Sequence, residues 1–345
     1  MITRKEVALA ANVSEATVSR VFNGVSPMRE DTKQRVLLAA KQLNYYPNAI
    51  AQSFARRRSG NLGVVLPFVP NVHLFSTQYF SEILSGIGEE VRQHGYDMLI
   101  SMFTPHKEID YSKLFLSQKV DACVILGSQD TFEQRASLLE LQRLQLPFCL
   151  INQHFVDLGF QEVDADHLQG SLFAIHHLVE QGYRRIAFVN GSALYSNSRD
   201  RALGYEIAMK QAGLEPLLHL HLEGNYSRKS GYQLAATVWE QRDDIDALLV
   251  ANDRMAIGLM QGLREIDPHA SQRFAIVGCD DSDAARLHNP ALTSINVPFF
   301  DMGKVATKHI LQSLKEPSLR PTLLTQLPTH LIIRESSLQK ETQIR

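Results

Sequence analysis

Hydrophobic residues follow two different periodicities along this 345-residue chain. Up to about residue 47 they recur at helical spacing in three short segments. From Leu62 onwards, apolar runs typical of buried strands alternate with amphipathic segments, so that "LGVVLPF" precedes "FSEILSGIGEEVRQHGY" and "RIAFVNG" precedes "RDRALGYEIAMKQAGL". The pattern predicts an α/β protein, with a small helical unit followed by doubly wound parallel sheets covered by helices on both faces.

The N-terminal segment has the signals of three helices. Thr3 and Glu6 have the spacing of a capping box, and Ser14 can cap a second helix, "EATVSRVF". Pro47 ends the unit, because the residue before a proline is pushed out of helical geometry. The helical period predicts these inward-facing residues: Val7, Ala8, Ala10 and Ala11; Val18, Val21 and Phe22; Val36, Leu37, Ala40 and Leu43.

The strand-helix plan of the remaining chain is used twice. "KVDACVILGS" is matched later by "DIDALLVAND", and "PFCLIN" by "FAIVGCDD". Two such sheets imply two lobes, with a cleft at the carboxyl ends of their strands, where open α/β sheets bind ligands. We expect a head at 1–47, a linker with helical potential at 48–60 and a core at 61–345. Within the core we expect an N-lobe of about 61–158 and 291–320, and a C-lobe of about 159–290 and 321–337.

Charge is divided unevenly between these parts. The whole chain has 35 Lys and Arg residues against 37 Asp and Glu residues, a net charge of -2. Residues 1–58 hold ten of the basic residues and four of the acidic ones, giving +6, so the remainder carries -8. A basic head on an acidic body indicates a polyanionic partner for the head only.

Neither a membrane protein nor an exported one is indicated. No apolar run reaches the roughly 18 residues of a membrane span. The N-terminus has no uninterrupted hydrophobic stretch and no small-residue cleavage site, so we expect a cytoplasmic protein. Cys123, Cys149 and Cys279 lie in predicted buried strands without CxxC spacing, which favours core residues over disulfides or a zinc site.

Metal and catalytic motifs are weak. The pairs His176-His177 and His219/His221 have no third ligand at a suitable spacing. The sequence contains no Gly-rich phosphate loop and no GxSxG. We therefore expect no metal, no cofactor and no enzymatic activity.

Six segments of the chain, taken together, resemble the LacI/GalR family of transcriptional repressors, from about residue 2 to residue 337. The segments are "VSEATVSRVFNG", "YYPNAIAQSFARRRSGNLGVVLP", "RALGYEIAM", "ANDRMAIGLMQGL", "VGCDDSDAARLHNPALTSINVP" and "LIIRESS". The resemblance implies a helix-turn-helix head, a hinge helix and a two-lobed periplasmic-binding-protein-like core. The sequence departs from the family pattern at Phe22, Arg29, Gln52, Phe54 and Cys279, so the operator sequence stays open.

The second helix of a helix-turn-helix places its N-terminal part against base edges in the major groove. We predict that Glu15, Ala16, Thr17, Ser19 and Arg20 are exposed there. Arg20 can contact guanine O6 and N7, Glu15 can accept from cytosine, and Ala16 can touch a thymine methyl group. Small donors suited to DNA phosphates are Ser14, Thr17, Ser19 and Asn23.

The linker also has an implied DNA-binding role. In the family that this chain resembles, the segment folds into a hinge helix in the minor groove, where a leucine wedges between base pairs. Phe54 matches that leucine, and an apolar wedge of this kind kinks the duplex. The alternative is that Phe54 packs against the core. Arg56, with Arg57 and Arg58, would add phosphate contacts and make affinity salt-dependent.

The implied assembly is a homodimer, because two heads on a palindromic operator mirror a two-fold axis. The C-terminal "ESSLQKETQIR" has no leucine heptads, so a tetramerising zipper is not expected.

The resemblance also implies an effector site in the cleft. Arg201, Asp280 and Asn252 match the arginine, aspartate and asparagine with which the family grips its ligand, and Asp253 is expected to be the N-cap of the next helix. Tyr226 matches an aromatic residue that often covers the ligand, and Asn152 lies at a comparable strand end. Purine-responsive members carry a further arginine six positions before the first of these, where this chain has Tyr195, which favours a sugar.

These residues together predict a repressor of a carbohydrate-utilisation operon, released from a palindromic operator by a small sugar. Whether the effector induces or co-represses stays open. One alternative is a sugar-binding module without DNA function, which the basic head argues against. Another is a carbohydrate-acting enzyme, for which the sequence offers no placed nucleophile or acid/base pair. Asp280 and Asp281 are adjacent carboxylates, but the resemblance assigns one of them to ligand binding.

Overall fold

The computed structural model describes residues 2–23, 27–46, 58–68, 73–104, 109–218, 220, 222–316 and 323–339. Within these ranges the chain forms a three-helix head and a core built on two sheets. Most of the predicted linker, including Phe54 and Arg56, lies outside the described residues. None of the described helices combines the length and the apolar character needed to cross a membrane.

The head consists of α1 (Arg4–Ala10), α2 (Glu15–Asn23) and α3 (Glu30–Gln42). The capping box at the start of α1 is confirmed. The backbone N–H of Thr3 donates to Glu6 Oε2 at 2.6 Å, and the backbone N–H of Glu6 donates to Thr3 Oγ1 at 3.4 Å. Ser14 caps α2, because its Oγ accepts from the backbone N–H of Thr17 at 3.2 Å.

The buried residues of the head differ from the predicted set at three positions, because two predicted residues are exposed and one buried residue was not predicted. Ala10 is exposed, and Leu37 is 38% exposed while Ala39 is buried in its place. Each of the two mispredicted residues lies about 100° around its helix from the centre of the buried stripe, beyond the face that the small three-helix core covers. The fully or nearly buried residues of the head are Val7, Ala8, Ala11, Val18, Val36, Ala39 and Ala40.

All strands of the first sheet are parallel. In spatial order the sheet contains β11 (Leu324–Leu327), β5 (Glu162–Ala165), β4 (Phe148–Ile151), β3 (Ala122–Leu126), β1 (Asn61–Pro67) and β2 (Asp97–Phe103). The second sheet is parallel except for its edge strand β12, which pairs antiparallel with β10. In spatial order it contains β12 (His330–Ile332), β10 (Thr293–Asn296), β9 (Ala275–Cys279), β8 (Ala247–Val250), β6 (Ile186–Asn190) and β7 (Leu222–Glu223).

Helices cover these sheets and connect their strands. The helices around the first sheet are α4 (Gln78–His94), α5 (Ser112–Leu116), α6 (Phe132–Arg143) and α13 (Phe299–Lys315). The remaining helices are α7 (His167–Glu180), α8 (Ser196–Gln211), α9 (Arg228–Glu240), α10 (Asp253–Ile266), α11 (Ala270–Arg273) and α12 (Asp283–Leu287). The packing of α4 on α13 is close, since a Cβ at Gly86 would lie 2.0 Å from the carbonyl oxygen of Phe300.

The strand pairing moves the predicted lobe boundaries. β5 was expected in the C-lobe but pairs with β4 of the first sheet, and β11 was likewise expected in the C-lobe but pairs with β5. β10 was expected in the N-lobe but joins the second sheet. A buried apolar strand shows its own periodicity and not the identity of its neighbours, so the local pattern does not reveal which sheet it joins. Below, N-lobe and C-lobe mean the units built on the first and the second sheet.

Apolar strand faces and helix stripes fill the interior of both lobes, as the alternation of strands and helices predicts. Cys123, Cys149 and Cys279 lie in β3, β4 and β9 and are buried free thiols. Their predicted place in the core is confirmed. Burial raises the pKa of the Cys123 and Cys279 thiols to about 12, which keeps them protonated and unreactive.

Candidate functional site

A cavity of about 590 Å³ lies where the carboxyl ends of the strands of both sheets meet. Pro67, Gly127 and Asn152 reach it from the ends of β1, β3 and β4. Asn252 and Asp280 reach it from the ends of β8 and β9. The predicted cleft is therefore present. All five predicted effector residues line it, since Arg201 and Tyr226 are also on its wall.

Arg201 lies in α8 and points a buried charge into this cavity. Arg201 as a whole is only 4% exposed to solvent. One guanidinium nitrogen, Nη1, donates to Asn197 Oδ1 at 3.2 Å, while Nε has no hydrogen-bond partner among the described atoms. A buried donor without a partner costs free energy, so a ligand oxygen at Nε would be favoured.

The adjacent carboxylates Asp280 and Asp281 have different environments. Asp280 follows β9 at a φ of 112° and lies against the cavity, where burial, together with nearby Asp253, raises the pKa of its carboxyl well above the usual range. Asp281 does not line the cavity, and its carboxylate accepts hydrogen bonds from Arg334 and Arg286. Although burial opposes it, this pairing lowers the pKa of Asp281. The two carboxylates therefore do not form a catalytic pair facing the cavity.

Asn252 lines the cavity and also caps a helix. Its Oδ1 accepts from the backbone N–H of Met255 at 2.9 Å, so Asn252 is the N-cap of α10. Its Nδ2 donates to the carbonyl oxygen of Tyr226 at 3.1 Å. The prediction that Asp253 is the N-cap is wrong, because Asp253 is the first residue of the helix and its buried carboxylate accepts from Ser282.

Two tyrosine rings form an aromatic wall of the cavity. Tyr226 and Tyr195 meet edge to face, with ring centroids 5.7 Å apart. The Tyr226 hydroxyl forms a hydrogen bond with Ser198 Oγ, and Tyr195 accepts from Gln129 Nε2 of the N-lobe at 3.0 Å. Gly191 makes room for the first ring, since a Cβ there would lie 2.2 Å from Tyr226 Cζ.

Asn152 supplies an amide from the N-lobe. It follows β4 at a φ of 61°, and its Oδ1 lies 2.7 Å from Nε2 of buried His167. With that oxygen engaged, the amide nitrogen is the group that can donate to a ligand. The carbonyl oxygen of Asn152 accepts from Asn197 Nδ2 at 3.1 Å, which ties the two lobes together beside Arg201.

Sequence reasoning missed several groups on the cavity wall. Gln78, at the start of α4, donates from Nε2 to the carbonyl oxygen of Asp280 at 3.0 Å and so crosses between the lobes. Arg254 also reaches the cavity, and burial lowers its pKa. Asn197 precedes Arg201 by one helical turn, a spacing that could have revealed it. Nothing in the local pattern marks Gln78, because its partner is far away in sequence.

On α2, the predicted recognition helix, Arg20 and Ala16 are exposed as predicted. Glu15 is also exposed, but its Oε2 lies 3.4 Å from Arg4 Nε, so base contact requires exchanging that ion pair. Thr17 is half-buried, and its hydroxyl lies 2.9 Å from that of Ser14.

Ser19 and Asn23, the other two polar residues predicted for this face, are only half exposed. Ser19 was predicted to be exposed and is half-buried. Asn23 donates from Nδ2 to Ser19 Oγ at 3.1 Å. The open part of α2 is thus narrower than predicted and centres on its alanine and arginine.

Comparison with known proteins supports both parts of this description. A sequence profile for bacterial regulatory proteins of the lacI family matches residues 3–48, and one for a periplasmic binding protein-like domain matches residues 175–337. The HTH-type transcriptional regulator RegA of Clostridium saccharobutylicum is 31% identical over 339 residues, covering 97% of this chain and 98% of RegA. The chain belongs to the LacI family. This LacI-family protein is also 27% identical to catabolite control protein A of Priestia megaterium, over 97% of this chain and 99% of the relative.

Solved structures agree with the assignment. The lac repressor dimer bound to operator and the anti-inducer ONPF superimposes with a TM-score of 0.82 at 26% identity, over 98% of this chain and 99% of that one. A complex of the transcriptional regulator CelR with cellobiose gives a TM-score of 0.71 at 26% identity, over 97% of this chain and 100% of the CelR chain. The predicted family and fold are confirmed. This LacI-family protein is a DNA-binding transcriptional regulator controlled by a small-molecule effector, and its relatives are regulators rather than enzymes.

Proposed function

We propose that this protein is a homodimeric repressor that binds a palindromic operator through α2 and releases it when a small sugar occupies the cavity between the lobes. The observation that carries the effector half of the proposal is the buried Arg201, whose Nε has no partner among the described atoms and which lines a cavity formed by both lobes. The cavity binds this ligand without turning it over.

The DNA half of the proposal rests on the head. Arg20 is exposed on α2, next to Ala16 one turn earlier, at the positions of a recognition helix that face base edges. Residues 1–58 carry an excess of six positive charges, suited to the phosphate backbone. The similar lac repressor structure is a dimer on its operator, which supports the same assembly here.

The chemistry of the cavity favours a sugar. Its volume of about 590 Å³ lies within the range of small-molecule sites. Arg201, Asp280 and Asn152 present a guanidinium, a carboxyl and an amide, which pair with vicinal hydroxyl groups, and Tyr195 and Tyr226 offer aromatic surface to the apolar face of a ring. The similar CelR structure contains cellobiose, which makes that disaccharide a first candidate for testing.

Control of DNA binding follows from the contacts between the lobes. Gln78 reaches Asp280, Gln129 reaches Tyr195, and a ligand between them would add further bonds to both lobes. A ligand shifts an equilibrium only by its difference in affinity for the two states. We propose that lobe closure changes how the two N-lobes of the dimer are arranged, and with them the two heads.

A binding assay with the full-length protein tests the proposal. Operator fragments selected from a random duplex pool are titrated by fluorescence anisotropy, with and without mono- and disaccharides, their phosphates and purines. Release of the selected DNA by one sugar is expected. Release by a purine would leave the role of DNA-binding regulator intact but would show that the effector is a purine and not a sugar. Failure to select any DNA sequence, or consumption of a sugar in the assay, would reject the proposed function.

A further inference from the structure

Three side chains of metal-ligating type lie together beside the effector cavity. They are His154, Asp164 and Asp200, whose ligand atoms all lie within 4.8 Å of one another. His154 follows β4 and Asp164 lies in β5, so both belong to the N-lobe, whereas Asp200 lies in α8 of the C-lobe. The cluster therefore joins the two lobes, and it does so one residue away from Arg201.

The distances in the cluster suit a shared ion. His154 Nδ1 lies 2.9 Å from Asp164 Oδ2 and 3.7 Å from Asp200 Oδ2. Atoms that ligate one ion at about 2.0–2.2 Å are roughly 3–4.4 Å apart. The three ligand atoms lie within 4.8 Å of one another, so shifts of the side chains would bring them to one ion, which would take the place of the hydrogen between His154 and Asp164.

Asp200 provides an independent indication. Its side chain is 22% exposed, and within the described part of the chain its carboxylate forms no hydrogen bond; its nearest charged partner is His154, at 3.7 Å, and Arg199 and Arg201 are also close. A half-buried carboxylate that accepts no hydrogen bond from the protein is stabilised further by a bound cation. Asp164 is even more buried, at 2% side-chain exposure, so the cluster places two shielded carboxylates on one imidazole.

Neighbouring groups hold the three ligands in place. The backbone N–H of His154 donates to Ser196 Oγ at 3.0 Å, which fastens the segment after β4 to the start of α8. Asp164 Oδ1 accepts from the backbone N–H of Ala165 at 2.8 Å and lies 3.4 Å from His167 Nε2. Outer contacts of this kind orient metal ligands.

We propose that His154, Asp164 and Asp200 bind a divalent transition-metal ion, of which Mn²⁺ and Zn²⁺ are the representatives to test, and that this ion bridges the two lobes. One imidazole with two carboxylates suits these ions better than Mg²⁺ or Ca²⁺, which prefer oxygen ligands alone. The metal site stands on its own geometry, while its effect on the effector rests on the proposed function. An ion that holds the lobes together raises effector affinity by the same factor by which the effector raises metal affinity.

Metal titration of the full-length protein tests the site. The protein is dialysed against a chelator and then against metal-free buffer. Mn²⁺ is titrated while the free ion is followed by electron paramagnetic resonance, and Zn²⁺ is titrated calorimetrically. One ion per chain is expected, with at least a tenfold loss of affinity in both Asp164→Asn and Asp200→Asn. The matched control is Asp157→Asn, which removes a 63% exposed carboxylate from the same β4–β5 connection and should leave metal affinity unchanged.

The bridging role has its own readout. Mn²⁺ should raise the unfolding temperature of the wild type and of Asp157→Asn, but not that of Asp200→Asn, which lacks the one ligand from the C-lobe. Circular dichroism in chelator checks that the variants fold. Failure of the wild type to bind stoichiometric Mn²⁺ or Zn²⁺, or equal metal affinity in Asp200→Asn, would overturn the proposal. Since neither DNA nor sugar is present, this result is independent of the proposed function.

Discussion

Replacing Arg201 by alanine removes the buried charge around which the effector site is arranged. Arg201 is only 4% exposed, and its Nε has no hydrogen-bond partner among the described atoms. A hydrogen bond to a charged group contributes about 1.5–3 kcal/mol. If Nε and one further nitrogen each grip a ligand oxygen, the variant loses about 3 kcal/mol or more, which corresponds to roughly a hundredfold weaker effector binding.

The same substitution has a smaller effect on folding. Asn197 Oδ1 loses the 3.2 Å contact with Nη1 but keeps a contact of 3.3 Å with the Tyr226 hydroxyl. Asp280 loses a nearby cation, which raises the pKa of its carboxyl further. We expect a loss of about 1–3 kcal/mol in the free energy of unfolding, which a core of this size tolerates.

Fluorescence anisotropy on operator DNA, with increasing effector, measures the outcome. Arg201→Ala should bind DNA as the wild type does and should need about a hundredfold more effector for half-release. Lys210→Ala is the matched control, because it removes an exposed basic residue from the far end of the same helix. Normal release by effector in Arg201→Ala would refute the assignment of this arginine to the ligand.

Three further predictions concern the head, the aromatic wall and the packing of the N-lobe. Arg20→Ala should lose about 1–3 kcal/mol of discrimination between operator and random duplex, with an unchanged unfolding temperature because the side chain is exposed; unaltered footprints would reject its role. Gly191→Ala should displace the Tyr226 ring by contact with its Cζ at 2.2 Å and weaken effector binding but not DNA binding; unchanged effector affinity in calorimetry would contradict this. Gly86→Ala should lower stability by about 1–3 kcal/mol or more in thermal unfolding, since its Cβ would meet Phe300 O at 2.0 Å, whereas Gly88→Ala on the same helix, with open space around it, should not.

Periodicity in the sequence predicted the three helices of the head and the main alternating strands and helices of both lobes, because strand and helix patterns are local. It did not predict which sheet β5, β10 and β11 join, since that depends on pairing with strands distant in sequence. The two mispredicted residues of the head, Ala10 and Leu37, have the same origin, because their exposure depends on how far the other helices reach around their own.

Some residues of the cavity could likewise be predicted from the sequence, and others could not. Arg201 and Asp280 were found because they match ligand-binding positions of the family that the sequence resembles, and both line the cavity. Gln78 was missed because its contact with the carbonyl oxygen of Asp280 spans 202 residues. The cluster of His154 with Asp164 and Asp200 was missed for the same reason, since its members come from two lobes and show no metal-ligand spacing along the chain.

The most direct test of the central claim is the effect of sugars on operator binding by the full-length protein. DNA retained after selection from a random pool is bound at a protein concentration that half-saturates it, and cellobiose and other mono- and disaccharides are then added in turn. The account predicts that one sugar shifts the half-saturation point by tenfold or more in the wild type and does not do so in Arg201→Ala. A sugar that binds the protein but leaves DNA affinity equal in both states would contradict the coupling between cavity and head.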